Sequence, residues 1–442
     1  MRNSVKYQWK IPGHLLVAAT AWLARTLIAG AQLVSIRIVL SNLGSDAYAV
    51  FALLTSLMVW FMLIDFGIGY AAQNAISERR AIGEVYEREI VVGLAIGMVL
   101  LAAAGVIFML LGKEIGPAYL RQFNFLDAGE KATYFSTVAI FFLGAGTGQI
   151  IYKVWYGEQR GYLANALMAL AAIVSLGGLW AVVHSDIENK LYWGLVAYLA
   201  PSAVLPLVAS TWRLAHAGRI AWFFERSELK RLFSRSWRFW GFAAMSAAVL
   251  NIDYIVMSQY LKPADIVLYT ITTKALGFAL MIYGTALMAL WPVCTELATK
   301  KQWAELFRHI KRYLIIGGAA VVIAATSFSV WRNEISTLFT GGKAIDIPLG
   351  LVALLAAYYL IRVWTDTFSM ILQSISDLRP LWIFVPVQAV LSGSLQWLLA
   401  PKFGLYGIVA GVMLSFLITV VWALPLETRR HAITKISNGI SS

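Results

Sequence analysis

The chain has 442 residues, 60% of them hydrophobic and only 13% charged, and its formal net charge is +13. A soluble domain of this length could not keep that much apolar surface out of water, so the composition excludes a water-soluble protein. It describes an all-α polytopic membrane protein, because a hydrocarbon slab about 30 Å thick takes about 20 apolar residues per helix and a backbone in lipid must satisfy its own hydrogen bonds.

Arg2, Lys6 and Lys10 precede the first apolar stretch. That stretch is far longer than a signal-peptide core and no A-x-A-like site closes it, so it reads as a retained helix. Spans are predicted at 14–40, 46–75, 90–112, 132–156, 162–184, 190–212, 236–261, 265–294, 312–338, 346–375, 381–400 and 405–426. The longest connections, at 113–131 and 213–235, are too short to fold as separate domains.

A charge at the centre of a membrane helix costs about 2.5–3.5 kcal/mol on insertion scales, so each one must pair, face water or meet a charged ligand. Arg25 lies mid-span in the first helix, with Gln32 seven residues on and on nearly the same face. Arg37 is close enough to the outer end to snorkel. Asp65, in DFGIG (65–69), has three readings: a partner for Arg25, a cap for a helix break at the two glycines, or a functional carboxylate. Glycines at 93/97, 144/148 and 407/411 have the spacing of closely packed helices.

Between the halves, Ile220, Phe224, Leu229, Leu232 and Phe233 alternate with Arg219, Arg226, Lys230, Arg231 and Arg235. This pattern suits an amphipathic helix on an anionic inner leaflet, or an ordinary solvated basic loop. Asp253 follows in NID (251–253), then Lys274 with Thr270 and Gly277 on its face. Arg362 and Asp366, four apart, stack on one face of the tenth span as a self-neutralised pair or as part of a ligand site. Gln373 continues that stripe inward. Arg25 and Lys274 have no sequence-local acid, which favours a functional role for both.

With the N-terminus inside, inner segments hold 24 of the 36 Lys and Arg, outer segments 8, and the spans four: Arg25, Arg37, Lys274 and Arg362. The asymmetry places both termini in the cytoplasm and accounts for the net charge through topology. Nucleic-acid binding is disfavoured because the basic residues are split among loops that lack aromatic platforms. The one cysteine, Cys294, excludes a disulfide scaffold, and the five scattered histidines show no metal-ligand spacing. No phosphate loop, GxSxG elbow or HExxH helix occurs. No cofactor is expected, and no resident metal.

The chain reads as duplicated. IVLSNLGSDAYAVF (38–51) matches IVMSQYLKPADIVLY (255–269), SER (77–79) matches TEL (295–297), and GEQR (157–160) matches SDLR (376–379), all at offsets near 218 residues. Two parallel six-helix repeats follow, with substrate expected at their interface. The predicted division is an N-terminal lobe at 1–212, a cytoplasmic amphipathic linker at 213–235 and a C-terminal lobe at 236–442, around a central cavity.

LGSDAYAVF (43–51), followed by a span ending DFGIGYAAQNAISERR (65–80), resembles the start of the bacterial Wzx-type flippases of O-antigen and polysaccharide repeat units. NIDYIVMSQYLKPADIVLYTITTKA (251–275) and LWPVCTELATKKQ (290–302) resemble their second-half segment. The resemblance covers 35–90 and 245–310 well, and the rest by span count and loop lengths. It implies a place in the superfamily of multidrug/cation antiporters and lipid II flippases. It also implies an inner-membrane protein that moves an undecaprenyl-diphosphate-linked oligosaccharide outward by alternating access, with a polysaccharide polymerase and a chain-length regulator as expected partners.

Arg25 in ARTLIAG (24–30) resembles a first-helix arginine of the lipid II flippases. Their two extra helices have no counterpart before LETRRHAITKISNGISS (426–442), which favours a repeat-unit flippase. On this basis Arg25, Lys274 and Arg362 are the expected diphosphate ligands, and Gln32 and Gln373 line the sugar cavity. Asp65, Asp253 and Asp366 release the cations or couple to H+ or Na+. A cation-coupled small-molecule antiporter should have an acid-dominated cavity. A membrane glycan polymerase or ligase should carry catalytic groups on a long outer loop, whereas 113–131 offers only Glu114, Asp127 and Glu130 as acids.

Overall fold

A computed structural model describes residues 13–218, 226–340, 345–375 and 377–440, and among them there is helix but no strand. The helices are α1 (Gly13–Ser56), α2 (Met58–Met62), α3 (Ile68–Ala81), α4 (Glu87–Tyr119), α5 (Ala128–Gly148), α6 (Ile150–Gly157), α7 (Gly161–Val183) and α8 (Lys190–Ala215). They continue as α9 (Arg226–Tyr260), α10 (Pro263–Thr299), α11 (Trp303–Val330), α12 (Arg332–Thr340), α13 (Leu349–Ser374), α14 (Arg379–Ile418) and α15 (Val420–Ile440).

Nine continuous helical stretches among the described residues are long and apolar enough to cross a bilayer. The first contains a break at Gly44 (φ 88°) and the last a break at Gly404 (φ 55°), positions that only glycine occupies without strain. With α9 these make the twelve predicted passes. Large apolar side chains face outward along them, among them Val99, Leu110, Ile323 and Val390, each about two-thirds or more exposed. Such a surface belongs in hydrocarbon.

Two compact units result. One comprises Met1–Ile38, Leu57–Pro117 and Asp127–Gly241, the other Val39–Ser56, Ala118–Leu126 and Phe242–Ser442. In the first, α3, α4, α6 and α7 enclose a core of Ile68, Ala71, Ile76, Leu94, Ile150 and Val154. In the second, α10, α11 and α13 pack together, and α13 also packs on α14 and α15.

The paired glycines act at helix contacts. A Cβ on Gly411 would lie 2.7 Å from the backbone nitrogen of Gln396, and one on Gly148 2.9 Å from Pro206 Cγ. Gly97 meets Ile150 in the same way. Gly411→Val is therefore expected to force the two halves of the α14 hairpin apart. Overpacking of this kind costs about 1–3 kcal/mol, and a lowered melting midpoint in detergent is the measurement that checks it.

The duplication is visible in local structure. Both copies of the IV-x-S segment carry a helix break, at Gly44 and at the α9–α10 junction. Arg213, closing α8, reaches Glu87 at 3.0 Å and Glu158 at 3.6 Å. The corresponding positions in the second half hold His431 and Asp377, paired at 2.9 Å. Glu158 and Asp377 are the acids of the GEQR and SDLR segments, so that weak sequence match marks the same helix-end clasp within each unit.

Of the linker expected at 213–235, 213–215 finish α8, 219–225 lie outside the described residues, and 226–235 belong to the continuous helix α9. Lys153, already within the predicted 132–156 span although not counted among its cations, lies in the α5–α6 pass and belongs with the in-span cations. The basic residues Arg2, Lys6 and Lys10 lie outside the described residues.

Candidate functional site

In the second unit, α13 presents Tyr358, Arg362 and Asp366 at four-residue spacing on one face. Arg362 Nε lies 3.2 Å from both carboxylate oxygens of Asp366, and Nη2 lies 3.0 Å from Oδ2. Nη1 donates to the Tyr358 hydroxyl at 3.3 Å. The guanidinium sits 5.9 Å from the centre of the Phe416 ring, which Tyr358 meets edge-on at 5.7 Å. The cation is thus clamped on three sides, a geometry that lysine's point charge would not reproduce.

Asp253 on α9 is 6% exposed. Its carboxylate accepts from the Tyr254 backbone N–H at 2.9 Å and from the Tyr269 hydroxyl. Tyr254 and Tyr269 pack edge-to-face at 5.8 Å, and Tyr358 lies within electrostatic range of Asp253. Tyr359 donates to the Thr273 carbonyl at 3.0 Å and approaches Gly277, which fixes α13 against α10. The structure therefore brings Asp253, Arg362 and Asp366 into one tyrosine-lined cluster.

Lys274, next to Thr273 on α10, is partly buried and has no hydrogen-bond or ion-pair partner among the described residues. Gln373 stays apart from the cluster. Its amide donates to Ser369 Oγ at 3.1 Å, one turn back on its own helix.

In the first unit the predicted residues do not converge. Asp65 ends a short 3-10 turn at which Phe66 (φ 47°) and Gly67 (φ 74°) break the second pass. Its Oδ1 accepts the Gly67 N–H at 2.9 Å, so Asp65 caps the break. Its neighbouring cation is Lys153, not Arg25. A Cβ on Gly69 would lie 3.0 Å from Lys153 Cγ and 3.2 Å from Asp65 Oδ2, so only glycine lets the two side chains close over it. Lys153 Nζ rests 3.8 Å from the centre of the Tyr70 ring.

Arg25 is exposed, within electrostatic range of the Tyr156 hydroxyl. Tyr156 donates to Asn165 Oδ1 at 2.6 Å, and Asn165 donates to Thr20 at 3.0 Å. Gln32, also exposed, lines a cavity of about 180 Å3 together with Gln149, Tyr152, Ser175, Tyr198 and Ser202.

Lys153 and Gln149 are the residues that reading the sequence missed. Their four-residue spacing, which puts both on one face of the fourth pass, was the available signal. Two of the three acids of the 113–131 connection are otherwise engaged: Asp127 and Glu130 form a reciprocal capping box at the start of α5, with bonds of 2.7 and 2.9 Å. No group of three or more metal-binding side chains occurs among the described residues.

Residues 17–298 match the family described as polysaccharide biosynthesis protein. A protein of Salmonella typhi described as an O-antigen transporter is 39% identical over 94% of this chain and 96% of its own length. One of Yersinia pseudotuberculosis described as an O-antigen export protein is 36% identical over 95% and 97%. Among solved structures, an inward-facing multidrug resistance transporter of the MATE family, in the MOP superfamily, aligns with a TM-score of 0.67 at 14% identity over 95% of this chain and 99% of its own. The lipid II flippase MurJ in an inward closed conformation aligns with a TM-score of 0.67 at 12% identity over 94% and 87%. At such low identity these two establish a shared fold and nothing about substrate.

Proposed function

Given that this chain belongs to the polysaccharide biosynthesis protein family, we propose that it is a flippase for lipid-linked oligosaccharide. It carries an undecaprenyl-diphosphate-linked repeat unit from the cytoplasmic to the periplasmic leaflet by alternating access, for O-antigen or a related surface glycan. The carrying observation is the near full-length relationship to O-antigen transporters of two genera. The protein is a transporter, not an enzyme, and it works in the bacterial inner membrane with both termini cytoplasmic. A polysaccharide polymerase and a chain-length regulator are its expected partners.

The site chemistry supports this reading. A diphosphate cannot enter hydrocarbon without counter-charge, and Lys274 and Arg25 are in-span cations without an acid bound to them among the described residues. Arg362 is a third phosphate ligand, exchanging Asp366 for substrate. Asp65, Asp253 and Asp366 balance these charges and couple transport to H+ or Na+, while Gln32 and Gln373 contact sugar. A cation antiporter fits less well: with Lys153 added, in-span cations outnumber the three acids. A glycan polymerase fits less well because its outer-loop acids Asp127 and Glu130 are consumed in a helix cap.

Reconstitution tests the proposal. Proteoliposomes with a fluorescent undecaprenyl-diphosphate oligosaccharide in one leaflet should expose the label to a membrane-impermeant quencher faster than protein-free vesicles. Equal rates, or a new glycosidic bond in the product, would exclude a flippase. A reporter fused at the C-terminus should read cytoplasmic and one inserted near residue 120 periplasmic; the reverse would overturn the orientation.

A further inference from the structure

The cavity of the first unit is lined by residues of α1, α2, α5, α6, α7 and α8 that all belong to that unit. No charged side chain lines it. Its polar groups are two amides, two phenols and two hydroxyls: Gln32, Gln149, Tyr152, Tyr198, Ser175 and Ser202. Several are held without protein partners. Gln149 donates only to the thioether of Met62 at 3.4 Å, a weak acceptor. The side chains of Gln32, Tyr152 and Ser175 have no hydrogen-bond partner among the described residues, although Tyr152 is only 6% exposed and Ser175 5%. These polar groups open onto the hollow instead of onto protein partners, and their convergence on one apolar-walled space points to a ligand that supplies the missing bonds.

The ligand's chemistry follows from the lining. It carries no net charge, because no ion faces it. It both donates and accepts, because amides and hydroxyls do both. It has apolar faces, because Phe142 and methionines complete the wall. At about 30 Å3 per water, a volume of about 180 Å3 is the space of about six waters, enough for one pyranose ring and too small for an oligosaccharide. We propose that this cavity seats one uncharged sugar ring of the lipid-linked repeat unit. The inference rests on the flippase reading and adds to it a determinant of glycan specificity.

Purified full-length protein in nanodiscs tests it with two probes, undecaprenyl diphosphate carrying a neutral oligosaccharide and undecaprenyl diphosphate alone. Wild type should bind the glycosylated probe more tightly. Gln149→Leu, and more mildly Tyr152→Phe, should remove that advantage, about tenfold for loss of one to two buried hydrogen bonds, with affinity for the sugar-free probe and the melting midpoint unchanged. Tyr152→Phe removes only a hydroxyl and guards against misfolding of the leucine variant. Equal affinity of wild type for both probes, or variants that weaken both probes alike, would overturn the sugar subsite while leaving a lipid-diphosphate transporter intact. Binding of neither probe by wild type would sink the flippase reading itself.

Discussion

Lys274→Ala should cut surface-glycan export by about tenfold or more while protein abundance and melting midpoint hold steady or rise. The side chain is partly buried and meets no acid among the described residues, so its charge carries a desolvation penalty in the resting protein that a substrate phosphate would repay. A charge-assisted hydrogen bond contributes about 1.5–3 kcal/mol, and each 1.4 kcal/mol is about a factor of ten. A purely structural lysine behaves in the opposite way: its removal lowers abundance and leaves per-molecule export unchanged. Normal export at normal expression would remove Lys274 from the site. Arg25→Ala is expected to behave similarly, with Lys at position 25 restoring only part of the activity, since a point charge replaces a bidentate fork.

The second large effect concerns Arg362 and Asp366. Asp366→Ala leaves the guanidinium with Tyr358 and Phe416 but without its counter-charge. The pair is only partly exposed, at 16% and 35% for the two side chains, so abundance should fall, though by less than the about 3–5 kcal/mol of a fully buried broken pair. Reversal, Arg362→Asp with Asp366→Arg, should restore abundance but not transport. The cation then moves one helical turn, about 5.4 Å, away from Tyr358 and the Phe416 ring. Export at the wild-type rate from the reversed protein would reduce the pair to a structural ion pair. Comparison of both variants at matched protein levels separates the two roles.

Much of the architecture was legible in the sequence for a simple reason. Hydrocarbon imposes a length and a polarity on every pass, so twelve apolar runs and the glycines that let them pack are readable one helix at a time. Arg362–Asp366 was legible on the same grounds, because a spacing of four is a contact within one helix and needs no knowledge of the neighbours. Gly411 against Gln396 was foreshadowed by the GxxxG spacing.

Contacts between helices were not legible. Asp65 takes Lys153 as its neighbouring cation, 88 positions away, where the sequence had suggested Arg25. The local break at Phe66 and Gly67 turns the carboxylate toward α6, and a dihedral choice of that kind leaves no mark on periodicity. Asp253 finds the Tyr269 hydroxyl across the α9–α10 junction, and Tyr358 joins them from a third helix. Gln149, Tyr152 and Ser175 look like ordinary interior residues in one dimension, and only the packing of six helices leaves a hollow in front of them. The sequence by itself determined the passes, the fold class and the contacts within each helix, because those depend on spacing along one axis. The partners of Asp65 and Asp253, the isolation of Lys274 and the polar cavity were decided by tertiary structure, because they depend on which faces meet when the helices close into bundles.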